Sequence, residues 1–203
     1  MHIGKRHETV NPAGDRAKDR RSSPRLQTVL RVARVMTGTD QGFARVQNIS
    51  DVGIGLQLHL PVLLGDALAV ELADGVVING RVVWTSGADC GLQLDQPIDS
   101  AALLVELAAQ AKAGASRPLR LPVATPALTR SANGTRVVEV ADVSQRGMKL
   151  RHDGSISDGL HVKITLPSGL KRSGVVRWSQ DRIAGVLLLD PFSPEELGSV
   201  RNL

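Results

Sequence analysis

At 203 residues and 21.6 kDa, the chain is long enough for two compact domains of about 100 residues each. Hydrophobic residues make up 42%, with only two Trp, two Phe and no Tyr, so the core must be built from Val, Leu, Ile and Ala, and long-range disorder is excluded for most of the chain. The net charge of +5 is concentrated: residues 1–26 hold seven Lys or Arg against three Asp or Glu, and the remainder is nearly neutral, which suits a local anionic partner better than a long polyanion.

Cys90 stands alone and cannot close an internal disulfide, which fits a reducing compartment. The basic N-terminus has no apolar signal core and no stretch approaches ~20 apolar residues, so the expectation is a cytoplasmic protein with no membrane span. A Gly-rich phosphate loop with Lys-Ser/Thr, an H-E-x-x-H helix and a nucleophile elbow are all missing from the sequence. His2, His7, His59, His152 and His161 show no metal-ligand spacing and read as surface residues. The expectation is a protein without metal or cofactor that is not an enzyme.

In chain order, residues 1–19 read as a flexible basic arm. Short β-branched or Leu-rich runs bounded by Gly, Pro, Asn and Asp predict strands near 27–36, 43–49, 53–59, 67–73, 76–85 and 90–95. Asp74-Gly75 between two such runs is a hairpin signal. A helix follows, with Leu103, Leu104 and Leu107 on one face behind a cap at Asp99 or Ser100. Residues 113–118 read as a linker, which sets the first domain at 20–112 and the second at 119–203.

That second domain repeats the first at a fixed offset of 94 residues: Ser50 aligns with Ser144, Gly53 with Gly147, Gly80 with Gly174, Trp84 with Trp178 and Gly91 with Gly185, without a gap. Ser168-Gly169 stands where Asp74-Gly75 stood, and Ser193, Pro194 and Glu196 form an S-x-x-E capping box that predicts a short closing helix. Six strands per copy with no room for crossover helices argue for an antiparallel barrel or sandwich.

Copy one combines R-x-x-x-R (Arg21, Arg25), N-x-S-x-x-G (Asn48, Ser50, Gly53) and a GRVVW run ending at Trp84. Together these resemble the PilZ domain, over about residues 20–112 well and over the second copy less completely. The resemblance implies two tandem six-stranded antiparallel β-barrels, all-β dominated, each followed by a C-terminal helix. It also implies a receptor or adaptor for the bacterial messenger cyclic di-GMP that signals to a protein partner.

The residue types suit that ligand. Guanidinium groups match phosphate oxygens and the guanine O6 and N7, and acceptors are needed for the guanine N1–H and N2–H edge. Arg21 and Arg25 take the first role, Asn48 and Ser50 the second, and Gly53 lets the backbone approach. Trp84 offers a ring for stacking, or is a barrel-rim aromatic. In family members a further Arg before the pair, here Arg20, is linked to binding the messenger as an intercalated dimer. Asn48 stands where many members carry Asp, and an amide matches the donor edge less completely than a carboxylate.

Copy two keeps Asp142, Ser144 and Gly147 as a possible second site, but Gly114, Ala115 and Leu119 fall where the arginines would be. Arg117 and Arg120 lie nearby at a different spacing, and Arg146 and Arg151 add charge from the turn. Two other readings stand beside the receptor: a PilZ-like interaction module independent of nucleotide, and a nucleic-acid binder, which scarce aromatics and a neutral body disfavour.

Overall fold

The computed structural model describes residues 26–114 and 117–203. Six strands build the first barrel: β1 (Leu26–Met36), β2 (Gln41–Ser50), β3 (Gly53–Gln57), β4 (Ala67–Ala73), β5 (Val76–Ser86) and β6 (Asp89–Leu94). Helix α1 (Ser100–Lys112) follows, and then β7 (Leu121–Ser131), β8 (Gly134–Ser144), β9 (Gly147–Arg151), β10 (His161–Thr165), β11 (Lys171–Gln180) and β12 (Ile183–Leu188). The first six close in the order β1-β2-β3-β6-β5-β4 and the second six in the equivalent order β7-β8-β9-β12-β11-β10, every pairing antiparallel. The strands predicted for the first copy match within two residues. The arm, with Arg20, Arg21 and Arg25, lies outside the described residues.

Alternation closes each barrel around its own apolar interior. On β5, Ile78, Gly80 and Val82 point inward while Val77, Asn79 and Arg81 face out. Both hairpin glycines, Gly75 at φ +79° and Gly169 at φ +87°, take the left-handed conformation their turns require. Helix α1 is capped by Asp99, whose carboxylate accepts from the Ala102 N–H, and it lays Leu103, Leu104 and Leu107 on the first core. It is also tied to the β2–β3 turn, because the Asp51 carboxylate accepts from the Ser100 hydroxyl at 2.6 Å and its N–H at 3.1 Å.

The closing helix predicted for the second barrel is not an α-helix. The capping box forms reciprocally, Ser193 N–H to Glu196 at 2.9 Å and Glu196 N–H to the Ser193 hydroxyl at 3.2 Å, but only a turn follows before a short 3₁₀ helix at Val200–Asn202. The reason lies in what the segment covers. Phe192, Leu197 and Leu203 all bury in the second core, and spacings of five and six residues fit an irregular path better than one helical face. Arg172, itself buried, grips this segment by pairing with Glu196 and stacking 4.2 Å over the Phe192 ring.

The same segment joins the barrels. Phe43 of β2 belongs to the second core, and its N–H donates to the Leu197 carbonyl at 2.8 Å. Arg45 pairs with Glu195 at 2.9 Å, the Ser199 hydroxyl donates to Asp40 at 2.6 Å and Arg201 donates to the Thr39 carbonyl at 2.9 Å. Any side chain at Gly42 would collide with the Gly198 carbonyl, so the two backbones touch there.

Candidate ligand-binding face

Four residues form one cross-strand row on the outside of the first barrel: Asn48 pairs with Gly55, Gly55 with Gly91, and Gly91 with Trp84. Register shifts between Val46 and Asn48 on β2 and between Val82 and Trp84 on β5 mark a β-bulge at each end of the row. On β5 the extra residue leaves Val83 and Trp84 both exposed after the buried Val82.

The two glycines then let the end residues lean inward. A Cβ at Gly55 would stand 2.8 Å from both polar atoms of the Asn48 carboxamide, and one at Gly91 would collide with the Trp84 Nε1. Amide and indole therefore lie over neighbouring glycines, roughly one strand spacing (~5 Å) apart. Trp84 stays 37% exposed, so one indole face is open, and the Asn48 amide has no hydrogen-bond partner among the described residues. An unspent amide beside an open aromatic face can pair with the edge of a heterocycle and stack on its plane.

Ser50 and Gly53 hold the turn beneath this row. Ser50 is buried, and its hydroxyl donates to the Gly53 carbonyl at 3.2 Å. Gly53 is not in the left-handed region, and what calls for glycine there is proximity, since a Cβ would stand 3.0 Å from the Leu92 carbonyl oxygen. Asp51 follows in the same turn, its carboxyl held below the usual aspartate value by the Ser100 hydroxyl and then by the Ser100 N–H. Of the predicted residues, the structure brings Asn48, Ser50, Gly53 and Trp84 together. Gly55 and Gly91 complete the face without having been singled out for it.

The second barrel repeats the row with two changes, Asp142 for Asn48 and Lys149 for Gly55. Asp142 pairs with Lys149, Lys149 with Gly185, and Gly185 with Trp178, whose indole again lies over the glycine. Lys149 replaces Gly55, and its ammonium lies 3.1 Å from Asp142, which also pairs with Arg120. Ser144 donates to the Gly147 carbonyl at 3.2 Å, as Ser50 does to Gly53. The possible second site thus has its carboxylate already engaged by two cations.

His152 corrects the reading of the histidines as surface residues. It is buried, its Nδ1 accepts from Gly154 N–H at 3.1 Å and Ile156 N–H at 3.4 Å, and its Nε2 lies 3.1 Å from the Ser179 hydroxyl. Burial lowers its pKa, with Arg182 adding to the effect and Asp153 opposing it. His59 and His161 are exposed. Burial, followed by the charge of Asp89, pushes the Cys90 thiol up to about 11, so it is protonated and inert near neutrality. Among the described residues no cluster could hold a metal ion, and no helix is long and apolar enough to cross a membrane.

No curated protein sequence matches the chain. Among solved structures it is similar to the Borreliella burgdorferi PlzA protein in complex with c-di-GMP (14% identity, 79% of this chain and 81% of that one, TM-score 0.36). It is also similar to the Bacillus subtilis inhibitor of motility MotI/DgrA (12%, 80% and 88%, TM-score 0.30) and to Escherichia coli YcgR in complex with c-di-GMP (10%, 80% and 75%, TM-score 0.27). The family model described as PilZ domain matches residues 19–110, the stretch that holds the whole Asn48-to-Trp84 row, and the first barrel is a member of that family.

Proposed function

We propose that the chain is a cyclic di-GMP receptor and adaptor that acts by binding and catalyses nothing. The observation that supports this most is the convergence of the Asn48 amide and the open Trp84 ring over Gly55 and Gly91 within a PilZ domain. In this reading the Asn48 carbonyl accepts from the guanine N1–H or N2–H edge, and a guanine stacks on Trp84 for about 1–3 kcal/mol. Arg21 and Arg25 bind phosphate oxygens and the guanine O6 and N7, and Arg20 adds the charge that a stacked pair of messenger molecules would need. The second barrel, a tandem PilZ-like copy, serves as the output domain toward a protein partner in the cytoplasm.

A route for the signal follows from one strand. β2 carries Asn48 and Ser50 at one end and Gly42, Phe43 and Arg45, which hold residues 195–198 of the second barrel, at the other. A ligand that repositions the Asn48 end acts on the strand that anchors the barrels together.

Calorimetric titration of the full chain with cyclic di-GMP, GTP and a short DNA tests the reading. Saturable binding of cyclic di-GMP alone is expected, with Arg21→Ala or Arg25→Ala abolishing it at unchanged circular dichroism. Absence of binding to any of the three would leave the nucleotide-independent interaction module as the function, and binding of DNA alone would make the basic arm a nucleic-acid contact.

A further inference from the structure

The second barrel has a mouth of its own whose chemistry is not a weakened version of the first. Aligned at the 94-residue offset, Leu26, Val52, Gly55 and Val83 of copy one become Arg120, Arg146, Lys149 and Arg177. All four cations line one cleft of about 360 Å³, together with Trp178. That volume is near the lower end of the ~300–1,000 Å³ typical of small-ligand sites, which suits one nucleotide better than a cyclic dinucleotide.

The four cations divide into two pairs. Arg120 and Lys149 share the single carboxylate of Asp142, whereas Arg146 and Arg177 have no carboxylate within 4 Å among the described residues. Arg177 is the extra residue of the β11 bulge, so it emerges on the same outer face as Trp178, both exposed after the buried Val176. Arg146 projects from the β8–β9 turn and also lines the crevice between the barrels with Arg31 and Arg117. Trp178, 44% exposed and seated over Gly185, presents an open ring between these charges.

We propose that this mouth is an anion site for a nucleoside monophosphate, with the base stacked on Trp178 and the phosphate held by Arg146 and Arg177. A terminal phosphate carries about −1.5 to −2 charges near neutrality, which two guanidinium groups match. Both phosphate-binding arginines stand on the second barrel itself, Arg177 on a strand and Arg146 on a tight turn.

The test uses the full chain with Trp84→Phe, which leaves Trp178 as the sole indole in a protein without Tyr. Trp178 emission is followed during titration with GMP, guanosine and inorganic phosphate. Saturable quenching by GMP is expected, at least about tenfold weaker with guanosine or phosphate alone, and about tenfold weaker for GMP in Arg146→Ala or Arg177→Ala at unchanged circular dichroism. The proposal is overturned by no saturable change up to millimolar GMP, by equal affinity for guanosine, or by full binding in the double arginine variant. A response to cyclic di-GMP with none to GMP would overturn it too, making the second mouth a copy of the first.

Discussion

Asn48 illustrates how far a single side chain can be followed. Its carboxamide lies over Gly55 with one carbonyl acceptor to offer, so Asn48→Asp supplies a second acceptor in the same place. Titration of that variant is expected to show unchanged or tighter cyclic di-GMP binding, and a clear loss would mean that the amide NH₂ is what the ligand uses. Trp84 and Trp178 were legible in the sequence because two rare residues landed in register, whereas the floor between Asn48 and Trp84 was not. Gly55 has no counterpart in copy two, and the two bulges that turn the end residues toward it are register shifts that alternation alone does not reveal. His152 was misread for a related reason, since its burial comes from a turn in which its own ring accepts two backbone N–H groups. Its lowered pKa has a definite sign: both states are neutral above 6.5, and below it the unfolded chain takes up a proton that the folded ring resists. The second barrel therefore loses stability as pH falls below 6.5, until the folded-state value is passed. Thermal melts from about pH 8 to about pH 5 should show this decline in the native chain and a flatter profile in His152→Asn, whose carbonyl can still accept from the turn.

Among the elements, the one least legible in the sequence is residues 192–203. The capping box at Ser193 and Glu196 was recognised and forms, yet what it starts is a turn, because Glu196 is shared with Arg172, Leu197 and Leu203 bury in the second core, and Gly198, Ser199 and Arg201 between them contact the first barrel. Local signals specify the start of such a segment, but its course is decided by contacts more than a hundred residues away. Arg172 is the hinge pin of this arrangement, with one face on the Phe192 ring, one terminal nitrogen donating to Glu196 and the other to the Lys171 carbonyl. Arg172→Ala removes a charge-assisted hydrogen bond and a cation–π contact, for an expected loss of about 2–3 kcal/mol, read from denaturant melts. Hydrogen exchange should show the loss first at Leu197 and Gly198, whose backbone groups face β2. Helix α1 depends in the same way on the β2–β3 turn, where the hydrogen bonds from Ser100 hold the Asp51 pKa down. That support is present above the ordinary aspartate value of 3.8 and is lost as pH falls through the lower folded value.

At the scale of the whole molecule, the duplication made two barrels legible, because Ser, Gly and Trp positions such as Gly80 and Gly174 or Trp84 and Trp178 repeat at one offset without a gap. The join between the barrels was not, because Phe43 falls on the outward-facing register of β2, opposite Ala44 and Val46, and nothing local shows that this face is covered by the neighbour's core. Phe43→Ala should cost about 3–5 kcal/mol, the range for an emptied aromatic core position, and the cost should fall on the second barrel although the residue belongs to the first. Separate reporters, Trp84 for one barrel and Trp178 for the other, should then melt at different midpoints, whereas a single shared midpoint is expected in the native chain.

A foreign side chain in a core also imposes an order in time. Among the described residues, the first core draws only on the first barrel and its helix, so that barrel can fold as soon as its strands have left the ribosome. The second barrel cannot complete its interior until β2 is already formed and residues 192–203 have been made to receive it. Synthesis from the N-terminus supplies those parts in the right sequence. A circular permutant that places the second barrel first would have to hold an unfinished core, with Leu197 and Phe192 uncovered, while it waits for Phe43 to arrive, and aggregation during expression is the expected consequence.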